Sequence, residues 1–172
     1  MNYNPSTIAR IGDLVNGIRV DTPALAAATY IITGPTQTEI FNVHGRIKIH
    51  ELFGEVAVAA FSNHACVLKY TFTSSSPVIA VADLTAVTAS LAQLAIGERI
   101  SWIGGAVATA AVLTATPGIT DVARTPQIVG VASGIGTIGI NTATASITGN
   151  ATVTFSLFYT PMSDGAYVES AL

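Results

Sequence analysis

From Thr29 onward, apolar residues recur at every second position, the period of a strand with one buried face. Tyr30-Ile31-Ile32 forms a short run that stops at Gly34-Pro35, and Thr38 to Val43 forms a second before a tight turn at His44-Gly45. Arg46 to His50 alternates cleanly, with Ile47 and Ile49 inward and Arg46, Lys48 and His50 outward. The alternation breaks over Glu51 to Gly54, and a bulge near Gly54 lets the strand resume in Glu55 to Ala59. Cys66 to Thr73 places Leu68, Tyr70 and Phe72 on one face, with Val67, Lys69 and Thr71 on the other. Ser74 to Pro77 ends that strand, and Val78 to Val81 follows as a short one. Further strands are expected at Arg99 to Ile103, within Ala106 to Pro117, at Ile128 to Ser133 and at Ile135 to Ile140. The clearest is the last, where Val153, Phe155, Leu157 and Tyr159 alternate with Thr152, Thr154, Ser156 and Phe158. Pro161 and a turn at Asp164-Gly165 close it, leaving a short tail.

Two segments depart from this period. Residues 1–28 read as an irregular N-terminal arm. Ile8, Ile11, Leu14, Val15 and Ile18 align on a helical face there, against Gly12 and Gly17, which weaken a helix. Between Asp83 and Ala95, Leu84, Val87, Leu91 and Leu94 also fit a helical stripe, with Asp83 as N-cap. Thr85, Thr88 and Ser90 in the same segment favour extended backbone instead. Many short strands separated by Gly, Pro and Ser predict an all-β protein, an antiparallel sandwich or barrel, with residues 29–172 as a single β-domain.

Composition sharpens this picture. Charged residues make up 10% of the chain, against about 25% in an ordinary soluble domain. None occurs between Arg99 and Asp121, and none between Arg124 and Asp164. The net charge of -3 and the lack of any basic run argue against binding bare nucleic acid. The start of the chain, Met1 to Pro5, lacks the basic and apolar regions of a secretory signal, and no unbroken apolar run is long enough for a membrane span. A charge-poor surface is expected where a protein hides area against partners in a fixed assembly. The charge-free C-terminal half is therefore expected to form sheet packing and subunit contacts. The cluster Arg46, Lys48, Glu51 and Glu55 is expected to face solvent or make a few polar contacts.

Catalytic signatures do not emerge. Cys66 is the single cysteine, so the chain has no internal disulfide and no CxxC pair. It reads as a small buried strand residue. His44, His50 and His64 match no metal-ligand spacing, and the turn at Gly45 separates the first two, so all three read as surface or interface histidines. Glu51 and Glu55 lie on a strand with a break, a poor setting for a carboxylate pair. The glycines from Gly130 to Gly139 belong to no phosphate-binding motif, and no lysine follows Lys69. Ser133-Gly134 and Ser163-Asp164-Gly165 read as turns, since GxSxG is absent. No catalytic, cofactor-binding or metal-binding residue is assigned, and no cofactor is expected.

Two segments carry a resemblance. Glu39 to Val56 (EIFNVHGRIKIHELFGEV) resembles the opening strands of a family of small virion structural proteins of tailed bacteriophages. Val153 to Ala166 (VTFSLFYTPMSDGA) is similar to that family's closing strand and turn, with Phe155 at an aromatic position and Met162 in place of a leucine. The resemblance implies a β-rich, homotrimeric cement (decoration) protein on the capsid surface, made in the host cytoplasm, with the major capsid protein as partner and neither nucleic acid nor membrane bound. The alternative reading is a head or tail fibre module that binds host glycans, for which Trp102 and Tyr167 are the aromatic candidates.

Overall fold

The computed structural model describes residues 17–26, 37–58, 68–86, 88, 91, 94–102, 112–114, 126–142 and 150–172. Twelve strands are present among them: β1 (Ile18–Asp21), β2 (Leu25–Ala26), β3 (Thr38–His44), β4 (Ile47–Val58), β5 (Leu68–Ser76), β6 (Val78–Asp83), β7 (Arg99–Trp102), β8 (Val112–Thr114), β9 (Gln127–Val129), β10 (Ile135–Thr142), β11 (Thr152–Pro161) and β12 (Tyr167–Ser170). They form two antiparallel sheets packed face to face, a β-sandwich and not a closed barrel. The seven-stranded sheet runs β1-β11-β4-β7-β8, with β2 also on β11 and β9 also on β4. The five-stranded sheet runs β12-β3-β10-β5-β6.

The long strands β4 and β11 are the spine of the larger sheet. Their ladder runs from Thr152 opposite Val58 to Pro161 opposite Ile47. On the free side of β11, β1 and β2 lie end to end; on the free side of β4, β7 and β9 do the same. The inward residues Ile47, Ile49, Leu52 and Val56 of β4, and Val153, Phe155, Leu157 and Tyr159 of β11, are buried. Phe41, Val43, Tyr70, Phe72, Ile138 and Ile140 of the smaller sheet complete the core. The period-2 pattern of the sequence therefore maps onto the inner faces.

Polar groups pin the two sheets through this apolar layer. The Tyr70 hydroxyl on β5 donates to the Ile100 carbonyl on β7 at 2.8 Å. The Tyr159 hydroxyl on β11 accepts from the Val168 amide on β12 at 3.0 Å. The Trp102 indole N–H on β7 donates to the Leu84 carbonyl, just past β6, at 3.3 Å. Each bond satisfies a group that would otherwise be costly to bury. The Tyr70 ring also meets Phe155 edge to face, with centroids 6.4 Å apart.

Several local expectations are corrected. Residues 18–21 and 25–26, inside the expected arm, are strands on β11, because Ile18, Val20 and Leu25 turn their side chains to the core. Residues 1–16 and 27–28 of that arm, the Tyr30 strand, His64 and Cys66 lie outside the described residues. The bulges of β4 fall at His50 and Ala57, where the register on β11 slips, and not at Gly54. Gly54 is instead the close-approach point of the spine: a Cβ there would sit 2.7 Å from Phe155 Cε1 and 3.0 Å from Val153 Cγ1. The 83–95 segment contains no helix among its described residues. Its leucines Leu84, Leu91 and Leu94 are buried, but Thr85 behaves as a strand extension. The Tyr70 amide donates to Thr85 Oγ1 at 3.0 Å, and the Leu84 amide donates to the Tyr70 carbonyl at 2.8 Å. Asp83 ends β6 and pairs with Lys69 instead of capping a helix. The C-terminal tail is strand β12, held on β3 with Val168 buried beneath it.

The turn at Gly45 joins the sheets and forms no hairpin, since β3 and β4 belong to different sheets. Gly45 has φ +76°, and its amide donates to the Gly134 carbonyl at 2.8 Å.

Gly54→Val is expected to cost about 1–3 kcal/mol through overpacking against Phe155, measured by urea unfolding; an unchanged midpoint would show that the spine has slack. Burial pushes the Tyr70 and Tyr159 phenols up from 10.0. The unfolded chain therefore loses these protons first as pH rises, so this contribution is full below pH 10.0 and is lost above it. A melting-temperature series across that range should fall on the alkaline side, and Tyr70→Phe should flatten part of the fall.

Candidate functional site

The outward residues of four strands of the larger sheet surround a groove of about 310 Å³. Its lining comprises Arg19 of β1, Phe53, Glu55 and Ala57 of β4, Arg99 of β7, and Thr154 and Ser156 of β11. The register brings them together: Arg99 is opposite Glu55, Glu55 opposite Thr154, and Phe53 opposite Ser156.

The charges in the groove are arranged as closed pairs. Arg99 Nε and Nη2 both donate to Glu55 Oε2, at 2.7 and 2.6 Å. The same guanidinium lies over the Phe53 ring, 4.5 Å from its centroid, so Phe53 is buried on an outer face. Arg19 Nε donates to Asp21 Oδ1 at 2.8 Å, and Ser156 Oγ donates to the same oxygen at 2.6 Å. Partial burial pushes the Asp21 carboxyl up, but the hydrogen bonds from Arg19 and Ser156 and the guanidinium charge outweigh it and hold the pKa below its ordinary value. Arg19 also sits 5.5 Å from the centroid of the Phe158 ring.

The outer face of the smaller sheet is mostly polar, with Glu39, Lys69, Asp83 and Glu169 as its described charged residues. The Thr71 hydroxyl on β5 donates to Gln37 Oε1, and Gln37 Nε2 donates to the Thr137 hydroxyl on β10, both at 2.7 Å. The Gln37 side chain lies against Gly139, where a Cβ would come within 3.0 Å of Gln37 Cδ. At one edge, His44 of β3 stacks on Tyr167 of β12 with centroids 4.2 Å apart, and its Nε2 is 3.2 Å from Glu169. At the other edge, Lys69 pairs with Asp83.

The sequence candidates are dispersed. His44 and His50 are on opposite sheets, the latter bonded through Nε2 to Thr160 Oγ1 at 2.7 Å. Burial, then the charge of Lys48, lowers the His50 pKa. Glu51 and Glu55 both face outward on β4, about 13 Å apart along the strand, and Glu55 is tied to Arg99. That spacing exceeds the roughly 5–9.5 Å of a glycosidase carboxylate pair. Trp102 is 1% exposed and belongs to the core, whereas Tyr167 is exposed. Ser133-Gly134 and Asp164-Gly165 are turns, with the Gly134 amide on the Val131 carbonyl and the Ala166 amide on the Ser163 carbonyl. Among the described residues no three His, Cys, Asp or Glu side chains gather as a metal site, and no helix is long and apolar enough to cross a membrane. The Arg99–Glu55 pair and the Gln37 bridge were not foreseen, because each depends on pairings between strands distant in sequence.

Fold and surface together define an antiparallel β-sandwich whose outer faces are polar, self-paired and poor in net charge. No protein-family model, curated protein or solved structure matches the chain.

Arg99→Ala should uncover Phe53 and raise the binding of a fluorescent apolar dye. The stability loss should stay about 1 kcal/mol, because the pair's side chains remain partly exposed to water; unchanged dye binding would mean that other groups cover the ring.

Proposed function

We propose that this chain is a structural protein of a tailed-phage particle, a capsid cement that binds across seams of the head shell as a homo-oligomer. The observation that carries the reading is the state of its outer faces. Of Arg19, Arg46, Lys48, Lys69 and Arg99, three are already paired with carboxylates of the same chain. What remains outward is largely Thr, Ser, Asn and Gln, with isolated apolar side chains such as Val58, Val78, Ile128 and Ile135. Such a surface docks against protein with little desolvation cost, because few lone charges must leave water. Many modest contacts of this kind, repeated over a shell, add up through multivalency. The resemblance of residues 39–56 and 153–166 to phage virion proteins supports the same reading. The glycan-binding alternative loses one of its two aromatic candidates, since the Trp102 ring is in the core.

The test is genetic and physical. Phage particles purified from a strain carrying the gene are expected to contain the chain in fixed ratio to the major capsid protein. Particles lacking it are expected to release DNA at a lower temperature. Its absence from purified particles, or an unchanged release temperature, would overturn the proposal.

A further inference from the structure

We infer that the groove on the outer face of the larger sheet is a binding site for a neutral saccharide, sized for one sugar ring. The inference goes beyond the proposed cement role and does not rest on it.

The groove runs over β11, between β1 on one side and β4 and β7 on the other. Two guanidiniums lean over it from opposite sides. Arg19 Nη2 lies 3.4 Å from Ser156 Oγ, and the Arg99 guanidinium lies over the Phe53 ring. Ser156 and Phe53 are directly opposed across β11 and β4, so the two guanidiniums overhang neighbouring positions. The next outward pair in the ladder, Thr154 and Glu55, adds a hydroxyl and a carboxylate. Phe53 and Ala57 supply the apolar part of the lining.

The charges select the ligand. Arg19 and Arg99 are balanced by Asp21 and Glu55, so the site has no net charge to attract an ion. An anion would be set against the Glu55 carboxylate, and a cation against two guanidiniums. An apolar molecule would strip water from these groups and return no hydrogen bonds. Hydrogen-bonding capacity nevertheless remains. The ion pairs engage Arg19 through Nε, and Arg99 through Nε and Nη2, on a single oxygen of each carboxylate. Nη1 of each arginine, the second oxygen of Glu55 and the Thr154 hydroxyl lie outside the hydrogen bonds of the described residues.

A sugar matches this set, because its hydroxyls both donate and accept around a ring and its C–H faces pack on apolar side chains. The volume of about 310 Å³ lies at the lower end of the roughly 300–1,000 Å³ of small-molecule sites. That suits one ring and not a long oligosaccharide.

Titration of the isotope-labelled full chain with methyl glycosides of neutral hexoses and of N-acetylhexosamines, followed by NMR, tests this. At least one glycoside is expected to give saturable shifts in the amides of Phe53, Glu55, Arg99, Thr154 and Ser156, leaving those of the smaller sheet unmoved. Thr154→Val and Glu55→Gln are each expected to weaken binding about tenfold through one lost hydrogen bond. Ala57→Phe is expected to abolish it by filling the groove. All three positions are at least partly exposed, so the melting temperature should hold within a few degrees. Tighter binding of acetate or inorganic phosphate than of any glycoside would make the groove an anion site and overturn the inference. So would shifts that are absent for every glycoside, or that Ala57→Phe leaves unchanged.

Discussion

The ladder between β4 and β11 is the constraint on which the remainder of this structure rests. It joins residues far apart in the chain over the full length of the larger sheet, from Val58–Thr152 to Ile47–Pro161. The four short strands β1, β2, β7 and β9 pair directly with one or other of these two strands. The inner side of the ladder supplies Ile47, Ile49, Leu52, Val56, Val153, Phe155, Leu157 and Tyr159 to the core. Its outer side supplies Phe53, Glu55, Thr154 and Ser156 to the groove. Core and surface are thus two faces of one pair of strands, and the Gly54–Phe155 contact sets how closely they approach. Non-local pairing of this kind is expected to fold slowly, because loop closure precedes the contacts that offset it.

The layout of strands was legible in the residues because one face of each is buried. The alternations at Arg46–His50 and Val153–Tyr159 identify their inward residues without knowledge of any partner. What escaped was whatever depends on pairing. The His50 bulge follows from the slip of β4 on β11, and glycine at position 54 draws attention away from it. Leu84, Leu91 and Leu94 fit a helical stripe and are buried, yet none of them is helical, and beside Leu84 the Thr85 hydroxyl takes the hydrogen bond that a strand would. Tyr167–Ser170 is too short to announce itself, and becomes a strand through β3 and the Tyr159 hydroxyl. The groove belongs to the same class: Arg99 and Glu55 are ordinary surface residues until the register of β7 on β4 sets them side by side.

Low charge also takes on a more specific meaning. Fewer charges do not simply leave a bare surface; the ones present on the sheet faces are mostly closed into pairs, Arg19 with Asp21, Arg99 with Glu55 and Lys69 with Asp83. Partly exposed pairs of this sort add little to folding stability. In the proposed cement role, a face neutralised in this way would meet another protein without stranding a lone ion. The hydroxyl and amide groups of Thr71, Gln37 and Thr137 are likewise bonded to one another across strands, presenting an ordered surface. Such a molecule is suited to lying against a fixed partner, with its rigidity drawn from the two-strand frame beneath.

Native-state hydrogen exchange on the full chain tests that frame most directly. Amides of β4 and β11 should be the slowest to exchange, opening only with global unfolding, while β1, β2 and β9 open earlier through local fluctuations. Exchange of the β4 and β11 amides as fast as those of the short flanking strands would contradict a structure built on their ladder.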